Sequence, residues 1–406
     1  LILHLLSSMD KASMEILRKE VNRRFFEKNE SKRSIMREMD VSWNFVHVWT
    51  QAKDQDFTVD ARGWKAGVSR KHPVDIKSRI IAIRERLEED PDEFFSGDLA
   101  IQQRYADEYP ADPVPSIDYI NDIIRAAGLA KTRHKKCRGT AIRYLCYPQH
   151  CITRVGERIA DVDHIGHKFV GGVSEPVHFL SVAYRNPRRL RCIQRVSGET
   201  TEETIAITNV IFDDLGWPDA VKTDVGAPFA GRTDRKDGKG SRSVPQFAIN
   251  LLLHETTPIY GNPRSPWNQG TGEGSNSVFG RNFWNANEYT STTMIDERLV
   301  AFNASAKKYA CYEPWIRKKK DSFVPRICFI RRAAEDAWGK NGIISVAGEQ
   351  VVLSKEYIGY YTFSEWNLKE EKLEIFFERE GEIQKIEERE FEIHPRSRER
   401  CTHFIA

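Results

Sequence analysis

Near the start of the chain, apolar residues recur at the three- and four-residue spacing of one face of a helix. Residues 31–39 predict one helix. Ser42 is a suitable N-cap for a second helix, in which Phe45, Val46 and Trp49 share a face. Two short helices joined by a tight break have the form of a helix-turn-helix unit, although an ordinary helical hairpin fits the same pattern.

The second of these helices has polar and aromatic side chains on its other face. In a helix-turn-helix unit that face enters a DNA groove, and here it would offer Trp43, Asn44, His47 and Thr50. We therefore expect residues 1–65 to form a DNA-binding domain.

A second helical stretch covers residues 73–130. Ile76, Ile80 and Ile83 form an apolar stripe at helical spacing, and Ser116 is a suitable N-cap for a later helix. The pattern favours a second helical, winged-helix-like DNA-binding domain in residues 66–150, including a basic linker. A structural spacer made of helices is the alternative.

The middle of the chain changes to short apolar runs that are typical of strands, followed by helices and strands in alternation. The predicted strands are residues 158–170, 177–184, 188–196, 220–223 and 256–260, and the predicted helices are residues 200–216, 245–254 and those from 268 onward. This order predicts a mixed α/β layered core in residues 151–292.

From residue 324 the apolar positions alternate with a period of two. The short runs are RICFIRR, GIISV, EQVVL, YIGYYTF, KLEIFF and FEIHP. Several short strands separated by turn residues predict a small β-barrel in residues 323–406. Residues 293–322 predict a helical, basic connector that leads into it.

Composition indicates a folded, multidomain protein. The chain has 406 residues, of which 40% are hydrophobic and 30% are charged, and its formal net charge is only +3. Contact with nucleic acid must therefore depend on local charge. Seven cysteines at irregular spacing favour a reducing cytosol over a disulfide framework. The apolar opening LILHLL is too short for a membrane span, so we expect no membrane association.

Local basic clusters could contact DNA phosphates. The candidate residues lie in the linker after residue 130, in a hairpin, in a Gly-rich insertion and on the predicted helix from 268 onward: Lys135, Lys136, Arg138, Arg188, Arg189, Arg235, Lys236 and Arg281. Each such contact adds salt-sensitive affinity. Solvated charge is the competing interpretation.

Cysteine and histidine residues around the linker also raise the question of zinc. His134, Cys137, Cys146 and Cys151 are close in sequence, but their spacings are not those of a regular structural zinc site. The sequence leaves zinc binding open.

Three acidic residues of the central region have the placement that metal-dependent phosphoryl chemistry needs. Asp163 lies in a predicted strand, Asp224 ends a short apolar strand, and Glu273 opens a predicted helix. Carboxylates from separate elements can hold two Mg²⁺ or Mn²⁺ ions, which clamp the attacking and leaving oxygens of an in-line displacement.

At these residues the sequence resembles the retroviral-integrase superfamily of transposases, of the insertion-sequence type. The matching segments are VDHIG around the first acid, PDAVKTDVGAPF around the second and RSPWNQGTGEGSNSVFGRNFW around the third. The resemblance implies an RNase H-like core with a D, D, E set of metal ligands at Asp163, Asp224 and Glu273. It also implies a small SH3-like barrel after the core.

The sequence departs from the family pattern in three places. Residues 231–243 lengthen the interval between the second and third acids, Val225 stands where Asn is usual, and Gly272 stands where a larger residue is common. Asp161 is an alternative first acid, because residues two apart in a strand point to the same face. No departure removes a ligand of the D, D, E set.

The resemblance implies a DNA transposase or integrase that uses two divalent ions per active site to cleave element ends and join the 3′-hydroxyl to target DNA. The expected partners are double-stranded DNA and further copies of this chain, as a dimer or tetramer. The expected location is cytoplasmic, at the nucleoid of a prokaryotic-type cell. Alternatives are a catalytically silent DNA-binding protein derived from a transposase and an RNase H-like nuclease.

Overall fold

The structure is a computed structural model that describes residues 11–58, 72–73, 75–130, 147–171, 173–187, 189–231, 242–310, 312–313 and 323–405. The chain divides into two compact units, residues 1–74 and residues 75–406.

The described part of the first unit contains three helices, which are α1 (Lys11–Phe26), α2 (Lys32–Glu38) and α3 (Trp43–Val48). The Ser42 hydroxyl accepts a hydrogen bond from the Phe45 backbone N–H at 3.2 Å, which confirms the predicted cap. Asp40 has a positive φ of 52° in the turn between α2 and α3. Ile35 and Val46 are fully buried against α1, so the apolar faces point inward as the spacing predicts.

The second unit begins with three helices, which are α4 (Ile76–Glu89), α5 (Asp98–Glu108) and α6 (Ile117–Ala126). Their apolar faces form one cluster around Ile80, Ile83 and Tyr105. The Ser116 hydroxyl caps α6 by accepting from the Tyr119 backbone N–H. Gly128, with a φ of +72°, lies just after this helix, where glycine readily adopts the left-handed backbone that ends a helix.

The core follows in an order close to the predicted one. Its elements are α7 (Gln149–Val155), β1 (Ile159–Lys168), β2 (Val177–Tyr184), β3 (Arg191–Val196), α8 (Thr201–Leu215), β4 (Ala220–Thr223), α9 (Ala227–Ala230), α10 (Gln246–Leu253), β5 (Thr257–Tyr260), α11 (Gly270–Phe279) and α12 (Thr292–Tyr309). A 3₁₀ turn (Pro266–Gln269) precedes α11 and a π turn (Gly280–Trp284) follows it.

The C-terminal elements are β6 (Arg326–Arg332), β7 (Ala334–Glu335), β8 (Asn341–Val346), β9 (Glu349–Ser354), β10 (Tyr361–Asn367), β11 (Lys372–Arg379), β12 (Glu382–Glu390), α13 (Pro395–Arg398) and α14 (Thr402–Ile405). Residues 391–395, which the alternating pattern predicts as a strand, contain no strand, so that prediction is wrong.

One nine-stranded sheet runs through the second unit in the order β12-β11-β10-β6-β5-β4-β1-β2-β3. The strand pairs β1–β4, β4–β5 and β5–β6 are parallel, and the other neighbours are antiparallel. Leu180 and Val182 of β2 pack on the face covered by α8 and α10, whereas Phe179 packs with Phe279 and Phe302 of α11 and α12 on the other face. The predicted mixed α/β layered core is confirmed in this outline.

The hydrogen-bonded ladders of the described C-terminal residues do not close into a separate barrel, contrary to the expectation from sequence. Strand β6 pairs with β5, with Ile259 opposite Cys328, and β10, β11 and β12 then extend the core sheet. Strands β7, β8 and β9 form a second, three-stranded sheet. Alternation predicts a strand but not its partner, and Ile327 and Ile330 are fully buried because β6 is a central strand.

The helices of residues 75–130 belong to the same compact unit as the sheet. Phe94, in the turn between α4 and α5, contacts Phe283 and Phe302 with ring centroids 6.0 and 5.4 Å apart. The Asn282 amide donates to the Phe94 carbonyl at 2.8 Å. The α4–α5 turn is thus fixed against the segment that follows α11.

Across the described residues, every helix is too short or too polar to cross a membrane.

Removal of the C-terminal strands tests whether they complete the core. A chain that ends at residue 313 would expose the edge of β5 and the apolar faces that pack on β6. We expect this variant to lose cooperative thermal unfolding, measured by circular dichroism, and to be degraded rapidly by protease.

Deletion of residues 1–74 is the control, because that unit has its own core. It should leave the cooperative transition of the remaining chain in place. A stable, cooperatively folded chain ending at residue 313 would show that the C-terminal strands are an independent module.

Candidate active site

Two of the predicted acids lie on neighbouring strands at the middle of the sheet. Asp163 is in β1, and Asp224 directly follows β4. The two strands pair in parallel with Asp161 opposite Lys222, so their register carries Asp163 and Asp224 past the same edge of the ladder. Ligands commonly bind at this edge, outside the carboxyl ends of parallel strands.

The two carboxylates repel each other. Burial, and after it the nearby Asp224 carboxylate, raise the pKa of Asp163 to about 6. One Asp224 oxygen accepts a hydrogen bond from the Gly226 backbone N–H at 2.8 Å, which fixes this exposed side chain in the turn after β4. A cation bound by both carboxylates would offset the repulsion between them.

Helix α11 packs across the same face of β1. The Asn276 amide donates to Oδ2 of Asp163 at 2.9 Å. The Ser181 hydroxyl of β2 lies 3.3 Å from the Ser275 hydroxyl. A Cβ on Gly272 would lie 3.6 Å from the Asp161 Cβ, so a side chain much larger than Ala would press on the strand. The contact between α11 and β1 therefore leaves room for a Cβ at position 272 but not for a long side chain.

Glu273 lies in the first turn of α11 and is exposed. It precedes Asn276 by three residues, so the two side chains are neighbours on the helix surface. Helix α11 therefore holds Glu273 above the strand that contains Asp163.

The three predicted ligands do not converge on one point in this structure. Among the described residues, the group of three His, Cys, Asp or Glu ligand atoms that lie within 4.8 Å of one another does not include Asp163, Asp224 or Glu273. Three carboxylates repel one another, and the exposed Glu273 side chain can change rotamer without disturbing the core. The structure therefore brings Asp163 and Asp224 close enough to interact, and it places Glu273 on the exposed surface of the first turn of α11.

Asp161, the alternative first acid, has a different environment. It is only 2% exposed, and one of its oxygens accepts from the Gly272 backbone N–H at 3.3 Å. Its other oxygen lies 3.4 Å from the Arg185 guanidinium. This carboxylate is therefore held within the protein, whereas Asp163 is the partly exposed acid beside Asp224.

A buried lysine completes the charge cluster beneath the site. Lys222 is fully buried, and its ammonium donates to the Tyr147 hydroxyl and to the Asn268 carbonyl. Burial lowers the pKa of Lys222 to about 8, against the opposing effect of the Asp161 carboxylate. We call Asp161, Arg185 and Lys222 the buried charge cluster.

No motif in the sequence indicates this cluster or a role for Lys222, Tyr147 or Asn268. The signal available in the sequence was a lysine in the apolar run AVKT, where a buried strand needs a partner for its charge.

The arginines of the β2–β3 hairpin have partners within the protein. Arg189 bonds Asp98 at the start of α5 at 3.1 Å, and Arg195 bonds both oxygens of Asp296 in α12 at 2.7 Å. These pairs fix the helices to the sheet. Contact of Arg189 with DNA stays a prediction.

Several predicted DNA- and metal-binding residues lie outside the described residues, namely Lys135, Lys136, Arg138, Arg188, Arg235, Lys236, His134, Cys137 and Cys146. Arg281 is exposed after α11, where its Nε donates to the Ser277 carbonyl. Cys151 is fully buried in an apolar cluster, and burial raises the pKa of its thiol to about 12, which disfavours the thiolate that zinc requires.

In the N-terminal unit, the outer face of α3 agrees only in part with the sequence prediction. Trp43, Asn44 and His47 are exposed. Thr50 is 3% exposed, and its hydroxyl donates to the Val46 carbonyl at 2.7 Å. Thr50 thus closes the end of α3 and is not available to a partner, so its prediction as a contact residue is wrong.

No protein-family profile and no curated protein sequence matches the chain. Among solved structures, it is similar to a chain in the cryoEM structure of a simian T-cell lymphotropic virus intasome, at 14% identity and a TM-score of 0.31, over 66% of this chain and 97% of that one. It is also similar to the catalytic core domain of BIV integrase, at 14% identity and a TM-score of 0.26, over 42% of this chain and 91% of that one. At such scores these likenesses carry no argument about function.

Substitution of the two β1 acids should change stability in opposite directions. Because the pKa of Asp163 is raised in the folded state, the metal-free folded protein holds this proton more tightly than the unfolded chain does. The resulting stabilisation of the folded state is fully present below the ordinary pKa of 3.8 and is lost as pH rises through about 6. Asp163→Asn should therefore stabilise the protein at pH 7, by at most about 3 kcal/mol for a shift of about two units. Urea unfolding in the presence of a chelator measures the change.

Asp161→Asn should destabilise the protein by about 2–4 kcal/mol, because Arg185 and Lys222 lose their buried counter-ion. The same urea titration serves both variants, and each is the control for the other. Equal and same-signed changes would contradict the assignment of different roles to these acids.

Proposed function

We propose that this protein is a metal-dependent polynucleotidyl transferase that acts on DNA, of the transposase and integrase kind with an RNase H-like core. The observation that supports this most is the pair of mutually repelling acids, Asp163 and Asp224, beneath a helix that presents Glu273. The strand order around the pair supports it as well, with three antiparallel strands followed by parallel β4 and β5.

The donor set at the site fits a hard divalent cation. Asp163, Asp224 and Glu273 offer carboxylate oxygens, the ligands that Mg²⁺ and Mn²⁺ prefer. Bound there as one or two ions, the metal would activate a water or a 3′-hydroxyl as nucleophile and neutralise charge on the phosphate. We propose these three residues as its ligands.

The residues around the ligands hold and orient them. Asn276 fixes one oxygen of Asp163, and the Gly226 N–H fixes one oxygen of Asp224, so both carboxylates are held in defined orientations for a cation. The buried charge cluster lies beneath Asp163 and α11 and holds them at a constant separation. The site needs no side-chain nucleophile, because water or a DNA hydroxyl attacks the phosphorus.

The N-terminal unit is proposed to position DNA. Helix α3 presents Trp43, Asn44 and His47 in a row, and Asn side chains can bond the edge of adenine in the major groove. We also propose that the protein acts as a dimer or larger assembly, because the joining of two element ends requires two active sites.

Asp224→Asn and Glu273→Gln should each reduce metal-dependent nicking of supercoiled plasmid by at least about 10³-fold, because each removes a proposed metal ligand. Neither substitution should weaken DNA binding measured by gel shift. Glu297→Gln is the matched control, because it removes an exposed acid on α12 that has no proposed role, and it should retain nicking.

Unchanged nicking by either acid variant would contradict the proposed active site. Substrates and products separate the remaining possibilities. Cleavage confined to RNA–DNA hybrids would instead indicate a nuclease, and a wild-type protein that binds DNA but never cuts it with Mg²⁺ or Mn²⁺ would indicate a silent binding protein.

Asn44→Ala should weaken binding to a preferred DNA duplex by about tenfold, since a bidentate base contact contributes about 1–3 kcal/mol. The change removes no charge, so the dependence of affinity on salt should keep the same slope. Fluorescence anisotropy at several salt concentrations measures both. Lys19→Ala on α1 is the contrasting control, and an equal loss in both variants would argue against base reading by α3.

A further inference from the structure

A second cluster of metal-ligating side chains lies on the other face of the sheet from α11. The ligand atoms of His167, His178 and Glu199 all lie within 4.8 Å of one another. We propose that these three residues bind a divalent transition-metal ion, which by ligand chemistry is Zn²⁺, at the end of the β1–β2 hairpin.

The strand register explains how the two histidines meet. Strands β1 and β2 pair regularly as far as Ile165 and Phe179, and the register then shifts by one residue before Lys168 and Val177. Without this bulge, His167 would point to the same face as Asp163 and Ile165. The bulge turns its side chain to the face of His178, and the two rings lie edge to face with centroids 4.6 Å apart.

The third residue comes from a turn that other side chains hold rigidly. Glu199 precedes Thr200, the N-cap of α8. The Glu203 carboxylate accepts hydrogen bonds from the Ser197 and Gly198 backbone N–H groups at 2.6 and 3.0 Å. The turn therefore places Glu199 beside β2 without help from Glu199 itself.

One imidazole nitrogen of the cluster has no hydrogen-bond partner among the described residues, and a bound metal ion would take that place. His178 Nδ1 is buried and makes no hydrogen bond within the described part of the chain. It lies 3.7 Å from a Glu199 oxygen, too far for a good hydrogen bond. Two ligands of a tetrahedral zinc ion, each about 2.0–2.1 Å from the metal, lie about 3.4 Å apart. The separation thus suits two ligands of a common ion.

The ligand types select the metal. Two imidazoles and one carboxylate form a familiar zinc set, whereas the all-oxygen acids at the candidate active site suit Mg²⁺. Such an ion would have a fourth position open to water, because three protein ligands are present. It would also tie the β1–β2 hairpin to the turn before α8, and β1 contains Asp163.

Zinc content of the full-length protein tests the proposal. Protein stripped with chelator is dialysed against buffered low-micromolar Zn²⁺ with millimolar Mg²⁺, and bound zinc per chain is measured by atomic emission. His178→Gln should bind one zinc fewer than wild type, and Glu199→Gln should weaken that zinc by at least about tenfold. The exposed histidine variant His403→Gln should match wild type.

Thermal unfolding provides a second readout. Zn²⁺ should raise the midpoint of wild type and His403→Gln but not that of His178→Gln. Glu199 is on the surface, so Glu199→Gln keeps the test decisive if His178→Gln does not fold. Asp224→Asn should keep this zinc. Equal zinc content in wild type and both site variants, or loss of the zinc in Asp224→Asn, would overturn the proposal.

Discussion

The short parallel ladder between β1 and β4 is the contact on which the rest of the candidate site depends. It joins Ile159–Asp161 of one strand to Ala220–Lys222 of the other. Because the two strands run in the same direction, Asp163 and Asp224, which lie just beyond the ladder, must be side by side. Asp163 lies in one of the paired strands and Asp224 directly follows the other, so the backbone sets their repulsion. The metal site that we propose would therefore be preorganised before an ion binds.

A second constraint is the set of buried charged side chains at the end of this ladder, where Asp161 lies opposite Lys222. Lys222 and Arg185 place two buried positive charges next to Asp161, and Tyr147 and Asn268 accept the hydrogen bonds of the lysine. The cluster links the segment before α7, the strands and the turn before α11. Such a network is stabilising only when complete, since an unpaired buried charge is strongly unfavourable. The two acids of β1 therefore differ in environment: Asp161 belongs to this buried network, and Asp163 is the acid that we propose as a metal ligand.

The pattern of apolar positions predicted most helices and strands well, because burial of one face sets the period of each element. It located β2 and β4 to the residue and the caps at Ser42 and Ser116. In residues 323–390 it predicted most strands but not their partners, because alternation cannot say whether Ile327 and Ile330 belong to a new sheet or to an existing one. It also missed the partners of Lys222 and the bulge at His167, since both depend on contacts between residues far apart in sequence. The pattern also could not predict that the ligand atoms of Asp163, Asp224 and Glu273 do not form one close group, since the distances between them depend on tertiary structure.

The insertion of β6 beside β5 has a consequence for how this chain can change over evolutionary time. A barrel attached by a linker could be exchanged between related genes at the linker without harm. Here a crossover near residue 322 would instead divide a continuous hydrogen-bonded sheet and separate Ile259 from Cys328. Chimeras made at that point would need both halves to match in strand spacing and side-chain volume. The C-terminal strands are thus bound to diverge together with the core.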